Sequence, residues 1–286
     1  MQITPRYSGT PIIAIPSAPG EQLAPLVRQR RRLGALLATL DDEAWATQSR
    51  CAAWSVRDVV SHLADVNGFW QFSVSAGIAG DPTRLLEGFD PAGTPLQMVS
   101  SSRAQAHRHV LDRFTTSNDS FIALMEDLGD HDWAKIAECP AGHLPIGLVA
   151  AHALWDSWIH ERDIAVPLGI ACPTEADEVA VSLTYAAALG PALALLTGGA
   201  TTGSFAIDAA DPTIRFTARV GECVEIIDGL DEEDAAPRLR GSAAQLLEAV
   251  SLRAPLPASA PPAWHDVLHG LSAAFDVPMT DPTEAR

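Results

Sequence analysis

The chain has 286 residues, room for one large domain or two ordinary ones, and 47% of them are hydrophobic, enough for a sizeable core. With 36 acidic against 19 basic residues the formal charge is -17, a balance that repels phosphate backbones and anionic bilayers and argues against nucleic acid and membrane as partners. No apolar run is expected to span a bilayer, the N-terminus lacks a basic segment followed by a long apolar one, and the four cysteines (Cys51, Cys139, Cys172, Cys223) form no CxxC pair, so a cytoplasmic protein with reduced thiols is expected.

Residues 1–20 hold four prolines and little periodicity and read as a flexible arm. The stretch 21–40 reads as a helix, with Leu23, Leu26, Val27, Arg30, Leu33, Leu37 and Leu40 close to one face. Arg28 and Arg30–Arg32 read as a solvated face rather than a binding patch. After a connection over 41–53 with one short helical turn, 54–79 reads as a second helix. Ser55 and Asp58 make a capping box and Trp54 and Val59 a hydrophobic staple. Val56, Val59, Val60, Leu63, Val66, Phe69 and Trp70 form its buried face, and His62 lies in the middle of that face. Alone, such a histidine is more often a satisfied core residue than a ligand.

A Gly/Pro/Asp-rich loop over 80–93 precedes a third long helix over 94–128, and 129–144 reads as a connection. The fourth helix covers 146–169, with Pro145 suited to its first turn and Pro167 and Gly169 ending it. At 100° per residue, Val149, Ala153, Asp156, His160 and Ile164 share one stripe. A carboxylate and an imidazole four apart on an inward face is metal-ligand spacing, though from this helix alone the plainer reading is that the two satisfy each other by a hydrogen bond. Four amphipathic helices argue for a four-helix bundle, and bundles build metal sites from inward side chains on facing helices, as His62 and the Asp156/His160 pair would allow.

Beyond residue 171 the character changes to an Ala/Leu-rich helix over 174–196, strands over 204–207, 214–220 and 223–227, a helix over 241–252, a Pro-rich connector and a last helix over 263–275. The expected architecture is therefore α+β with two domains: a metal-binding helical bundle over 21–171 and a small α+β domain over 172–286. Cys51 and Cys139 read as small buried residues, His152 as packing or support for a ligand, and His265/His269 as a surface pair. GECVEIIDG is no phosphate loop, and no dinucleotide fingerprint occurs.

Two stretches together resemble a known family. CAAWSVRDVVSHLADV (51–66) is similar to the start of the second helix in the DinB-like, mycothiol-dependent maleylpyruvate isomerase family, where a W-x-x-x-D-V-hydrophobic-x-H-L pattern delivers a metal-binding histidine; Trp54, Asp58, Val59, His62 and Leu63 match. DSWIHERDIAVPLG (156–169) looks like the family's E-x-x-x-H-x-x-D-hydrophobic-A segment, through Asp156, His160, Asp163, Ile164 and Ala165. Asp156 stands where the family usually offers Glu, one methylene longer. The resemblance covers nearly everything after residue 20 and implies a DinB-like bundle followed by a sterol-carrier-like α/β domain.

It also implies a divalent metal held by His62, Asp156 and His160; Asp163, about one turn beyond His160, would orient a ligand as an acceptor or bond a neighbouring helix. Two imidazoles and a carboxylate suit Zn²⁺ first, and Ni²⁺ or Fe²⁺ by ligand type. Mycothiol would be the thiol cosubstrate. Arg84 or Arg103 would hold a small anionic electrophile undergoing isomerisation or S-transfer, in a monomer or homodimer whose C-terminal domain closes over the metal cleft. A non-catalytic protein that binds metal or a small ligand, and a metal-dependent hydrolase, are the competing readings.

Overall fold

The computed structural model describes residues 3–198, 202–230 and 236–275, apart from the side chains at 266, 267 and 269. A helical unit precedes a mixed α/β unit. The helical unit contains α1 (Leu23–Leu37), α2 (Asp42–Ala46), α3 (Val56–Ile78), α4 (Gly93–Ser102), α5 (His107–Glu126) and α6 (Ile146–Ala165). Between α5 and α6 runs a hairpin of β2 (Ile136–Cys139) and β3 (Gly142–Pro145). The second unit contains α7 (Ala176–Leu196), β4 (Gly203–Ala210), β5 (Ile214–Val220), β6 (Val224–Asp228), β7 (Arg238–Ser242), α8 (Ala243–Val250) and α9 (Ala263–Phe275). Its five-stranded sheet has the order β1-β6-β5-β4-β7, where β1 is Ile13–Ala14 from the N-terminal segment.

The sharpest start signal is made as written: Ser55 Oγ accepts from Asp58 N at 3.3 Å, and Asp58 Oδ2 accepts from Ser55 N at 3.1 Å, closing the capping box of α3. The single helix expected over 94–128 is two. Ser100, Ser101 and Ser102 donate their hydroxyls to carbonyls at Leu96, Met98 and Val99. Such back-bonding competes with the helical ladder, and the chain leaves α4 at Arg103 to start α5 at His107. The connection expected over 129–144 is the β2/β3 hairpin, whose Ala137, Cys139 and Leu144 are fully buried.

Residues 3–15 are not a loose arm. Ile3, Ile12 and Ile13 are buried, Arg6 bridges to Gly142, and Ile13 and Ala14 pair in parallel with Val224 and Glu225. The segment was unreadable because its pairing partners lie more than a hundred residues away. Fully buried Glu138 helps anchor it, accepting from Tyr7 Oη at 2.7 Å, Thr83 Oγ1 at 2.6 Å and the amides of Leu85 and Leu86 at 2.9 and 2.8 Å.

The basic run of α1 is not one solvated face either. Arg32 reaches buried Glu161 on α6 and Glu178 on α7, Arg28 reaches Glu178, and Arg30 is wholly buried. Contrary to the sequence reading, one helix, α7, is apolar and long enough to cross a membrane by length and composition. In the fold it is a mostly buried helix packed against α6, α8 and α9, a role with the same composition.

Candidate functional site

The site grows from α6. Every residue of this helix is buried except Asp156, whose side chain keeps 15% exposure. A helix buried all round lies at the centre of its fold, so the one-stripe periodicity understated α6, and Asp156 marks where the interior opens. His62 enters from α3 as its seventh residue, about two turns past the Ser55 cap. His62 Nε2 stands 3.9 Å and His160 Nε2 3.5 Å from Asp156 Oδ1, with the two imidazole rings 5.1 Å apart and nearly edge-on. One ligand atom from each of the three residues lies within 4.8 Å of the others. The Trp54 ring packs on His62 at 5.1 Å.

The separations exceed ordinary N–H···O hydrogen bonds of about 2.9 Å, and Asp156 Oδ2 is buried with no hydrogen-bond partner. Burial works against the charge on Asp156, but His160 and His62 hold its carboxyl well below the usual range. Burial likewise opposes a charge on His160, yet Asp156 and the bonds to Asp163 and Cys51 lift its pKa to about 10. At neutral pH the ring therefore carries a proton that a bound cation would displace. A carboxylate whose Oδ1 faces two imidazole nitrogens and whose Oδ2 is buried without a partner fits a divalent cation, and the donor set fits Zn²⁺.

Behind His160 lies a second layer. Asp163, fully buried, accepts from His160 Nδ1 at 3.0 Å, which leaves Nε2 facing Asp156. Arg253 grips Asp163 through Nε, 2.9 Å from Oδ1, and through Nη2, 3.0 Å from Oδ2. The Cys51 thiol donates to Asp163 Oδ2 at 3.2 Å and lies 3.9 Å from His160 Nδ1. Despite its burial, Asp163 is held well below the ordinary carboxyl range by His160 and Arg253. Among the described residues, Cys51, His160 and Asp163 form a second cluster of ligand-type atoms that shares His160 with the first.

Arg253 was missed from sequence. It belongs to the end of α8, where Leu252 N bonds Ala249 O at 3.1 Å and Arg253 N bonds Glu248 O at 2.8 Å. This is the Schellman pattern, with Leu252 left-handed at φ 60 where glycine is usual. Leu gives no sequence signal for that turn, and the turn aims Arg253 at Asp163. Ser251 also reaches the bundle, accepting from Trp155 Nε1 at 2.8 Å.

The two arginines singled out earlier part company. Arg103 donates to Ala53 O at 2.9 Å and stands 3.6 Å from Asp58, one turn from His62. Arg84 follows the far end of α3, about 24 Å along the axis from His62 at 1.5 Å per residue, and its guanidinium lies over the Tyr7 ring. The structure does not bring Arg84 to the cluster. A surface cavity of about 520 Å³ at that end, lined by Tyr7, Gly77, Lys135 and His143, is likewise remote from it. His152 packs among rings on α6, and His265 is exposed while the His269 side chain lies outside the described residues.

Fold and site define a class: a helical bundle that presents two imidazoles and a carboxylate between two helices, backed by a mixed α/β unit. Residues 26–165 match the family model described as mycothiol maleylpyruvate isomerase N-terminal domain. The helical bundle is the part of the chain that carries this domain. Two solved structures share the fold: the crystal structure of the mycothiol-dependent maleylpyruvate isomerase (TM-score 0.60, 15% identity) and that of a mutant of it (TM-score 0.59, 14% identity). Each comparison covers 83% of this chain and 90% of the other. No curated protein sequence matches the chain.

Proposed function

We propose that this protein holds a divalent cation, Zn²⁺ first, on His62, Asp156 and His160, and uses mycothiol to isomerise, or to transfer sulfur to, a small anionic electrophile. The observation that carries the reading is the convergence of Asp156 with the Nε2 atoms of His62 and His160, its Oδ2 left without a hydrogen-bond partner, in a bundle that matches this domain. The cation supplies acidity: a free thiol has a pKa near about 8.5, and a metal-coordinated one is deprotonated outright.

The protein's own groups do the rest. Asp163 fixes the His160 ring through Nδ1, and Arg253 keeps Asp163 ionised and immobile. Trp54 packs against the His62 ring and supports its orientation. Arg103, whose side chain is 44% exposed at the α3 N-terminus, is the arginine placed to meet a substrate carboxylate. The family and the shared fold support an enzyme using a low-molecular-weight thiol on an unsaturated acid such as maleylpyruvate.

The test starts with elemental mass spectrometry on protein purified without added metal, in wild type and His62→Ala. About one Zn per chain in wild type, lost in the variant, is expected, followed by mycothiol-dependent turnover of maleylpyruvate or related unsaturated acids. Zn uptake with hydrolysis but no thiol dependence would move the assignment to a metal-dependent hydrolase. Zn uptake with no turnover would leave a binding protein, and failure of wild type to take up Zn²⁺ after reconstitution would overturn the site.

A further inference from the structure

Arg30 is an unusual residue to find at the centre of a helical bundle. It is 0% exposed. Nη1 donates to Asn67 Oδ1 on α3 at 2.5 Å and to Asn118 Oδ1 on α5 at 3.2 Å, and Nη2 donates to Ala153 O on α6 at 3.2 Å. The guanidinium lies 4.9 Å from the centre of the Phe121 ring, and its Nε has no partner. Every acceptor is neutral, and among the described residues no carboxylate pairs with it. Burying a cation without an ion pair is expensive, and methionine or leucine would fill such a volume at less cost.

The location suggests what the charge does. Ala153, whose carbonyl holds Arg30, lies one turn before Asp156 on the same helix, so the guanidinium sits in the layer just beneath the His62–Asp156–His160 group. Burial pulls Arg30 down to about 10, and Asp156 is the charge that opposes this, so it stays cationic at neutral pH. In a poorly screened interior a unit charge one layer away acts without contact. Asp156 with a divalent cation and two neutral imidazoles sums to one positive charge, and Arg30 makes it two; Arg253 and Asp163 cancel.

We propose that Arg30 is a positioning residue whose fixed charge, set beneath the site by neutral acceptors on three helices, tunes it away from cations and toward anions, chiefly the thiolate. The inference rests on the metal–thiol reading above. It predicts opposite signs for the two ligands, which a merely structural role would not give.

The experiment measures Zn²⁺ affinity by chelator competition, and mycothiol binding to the Zn-loaded protein by calorimetry, in wild type, Arg30→Gln and Arg30→Lys. Arg30→Gln should bind Zn²⁺ about tenfold more tightly and mycothiol about tenfold more weakly. Arg30→Lys keeps the charge and loses the guanidinium fork, and should stay within about twofold of wild type for both. Weakening of both ligands in both variants, or no change in Arg30→Gln, would overturn the proposal. If Arg30→Gln does not fold, Arg30→Lys decides: retained affinities support the charge role and lost affinities refute it. Should wild type bind neither Zn²⁺ nor mycothiol, the metal–thiol reading itself fails and takes this inference with it; a wild type that binds both, without the opposed shifts, sinks this inference alone.

Discussion

His152 lies one turn before Asp156 on α6, boxed by the rings of Trp70, Trp155 and Tyr185, with Nδ1 2.7 Å from the Tyr185 hydroxyl. Burial pulls its pKa down to about 4, against the attraction of Asp156. A histidine depressed on folding gives stability that is complete above its unfolded pKa near about 6.5 and is lost as pH falls toward 4. The coupled carboxylates Asp156 and Asp163 are shifted downward and titrate below that window, and His160, shifted upward, contributes a constant term within it. Urea unfolding of wild type should therefore lose about 2–3 kcal/mol between pH 7 and pH 4.5 that His152→Gln does not lose. Parallel pH profiles for the two proteins would show that His152 is not the group responsible. The same residue marks how far sequence reaches: helical spacing places it off the Asp156/His160 stripe, but only packing supplies the aromatic box.

At the scale of elements, the β2/β3 hairpin and the N-terminal segment depend on each other through Gly142. Its φ is +117, a conformation open to glycine. A Cβ there would overlap the Arg6 backbone, just where Arg6 N reaches Ala141 O at 3.2 Å and His143 N reaches Arg6 O at 2.9 Å. Gly142→Ala should cost about 3 kcal/mol or more, since the strained φ and the overlap add. Limited proteolysis should then cut within residues 3–15, which wild type protects; equal protection would mean that the strand shifts to absorb the methyl group. None of this was readable from residues 1–20, because a two-residue strand has no period and its partners come from β3 and β6. The α3 cap, by contrast, was readable, because Ser55 and Asp58 each bond the other's backbone within one turn.

Across the whole molecule, α1, α6 and α7 are joined by an ionic network at the boundary of the two units. Arg32 donates bidentately to Glu161 at 2.8 and 2.8 Å and to Glu178 at 3.0 and 2.7 Å, and Arg28 adds a bond to Glu178 at 2.9 Å. Both carboxylates are buried, so removing their partner is more damaging than the pair was stabilising. Arg32→Ala should lose about 3 kcal/mol in urea unfolding and separate the transitions of the bundle and the α/β unit. A single unshifted transition would show that the apolar contact of α6 with α7 alone couples the units. Arg253 is a further link, running from the end of α8 to Asp163 beneath the candidate metal group.

The sequence by itself determined most of the long helices and which of their faces turn inward, because caps and the 3.6-residue period are local facts: α1, α3, α6 and α7, the change of character after residue 171 and the inward placement of His62, Asp156 and His160 all follow from residues within a turn or two of one another. Tertiary structure alone decided what surrounds them. Which arginine supports the His160–Asp163 pair, why Arg30 is buried while its neighbours pair with Glu161 and Glu178, and how the N-terminal segment becomes a strand all depend on chain segments brought together across tens to hundreds of residues. Such contacts leave no local pattern, since a charged side chain reads as solvated until the fold supplies its partner.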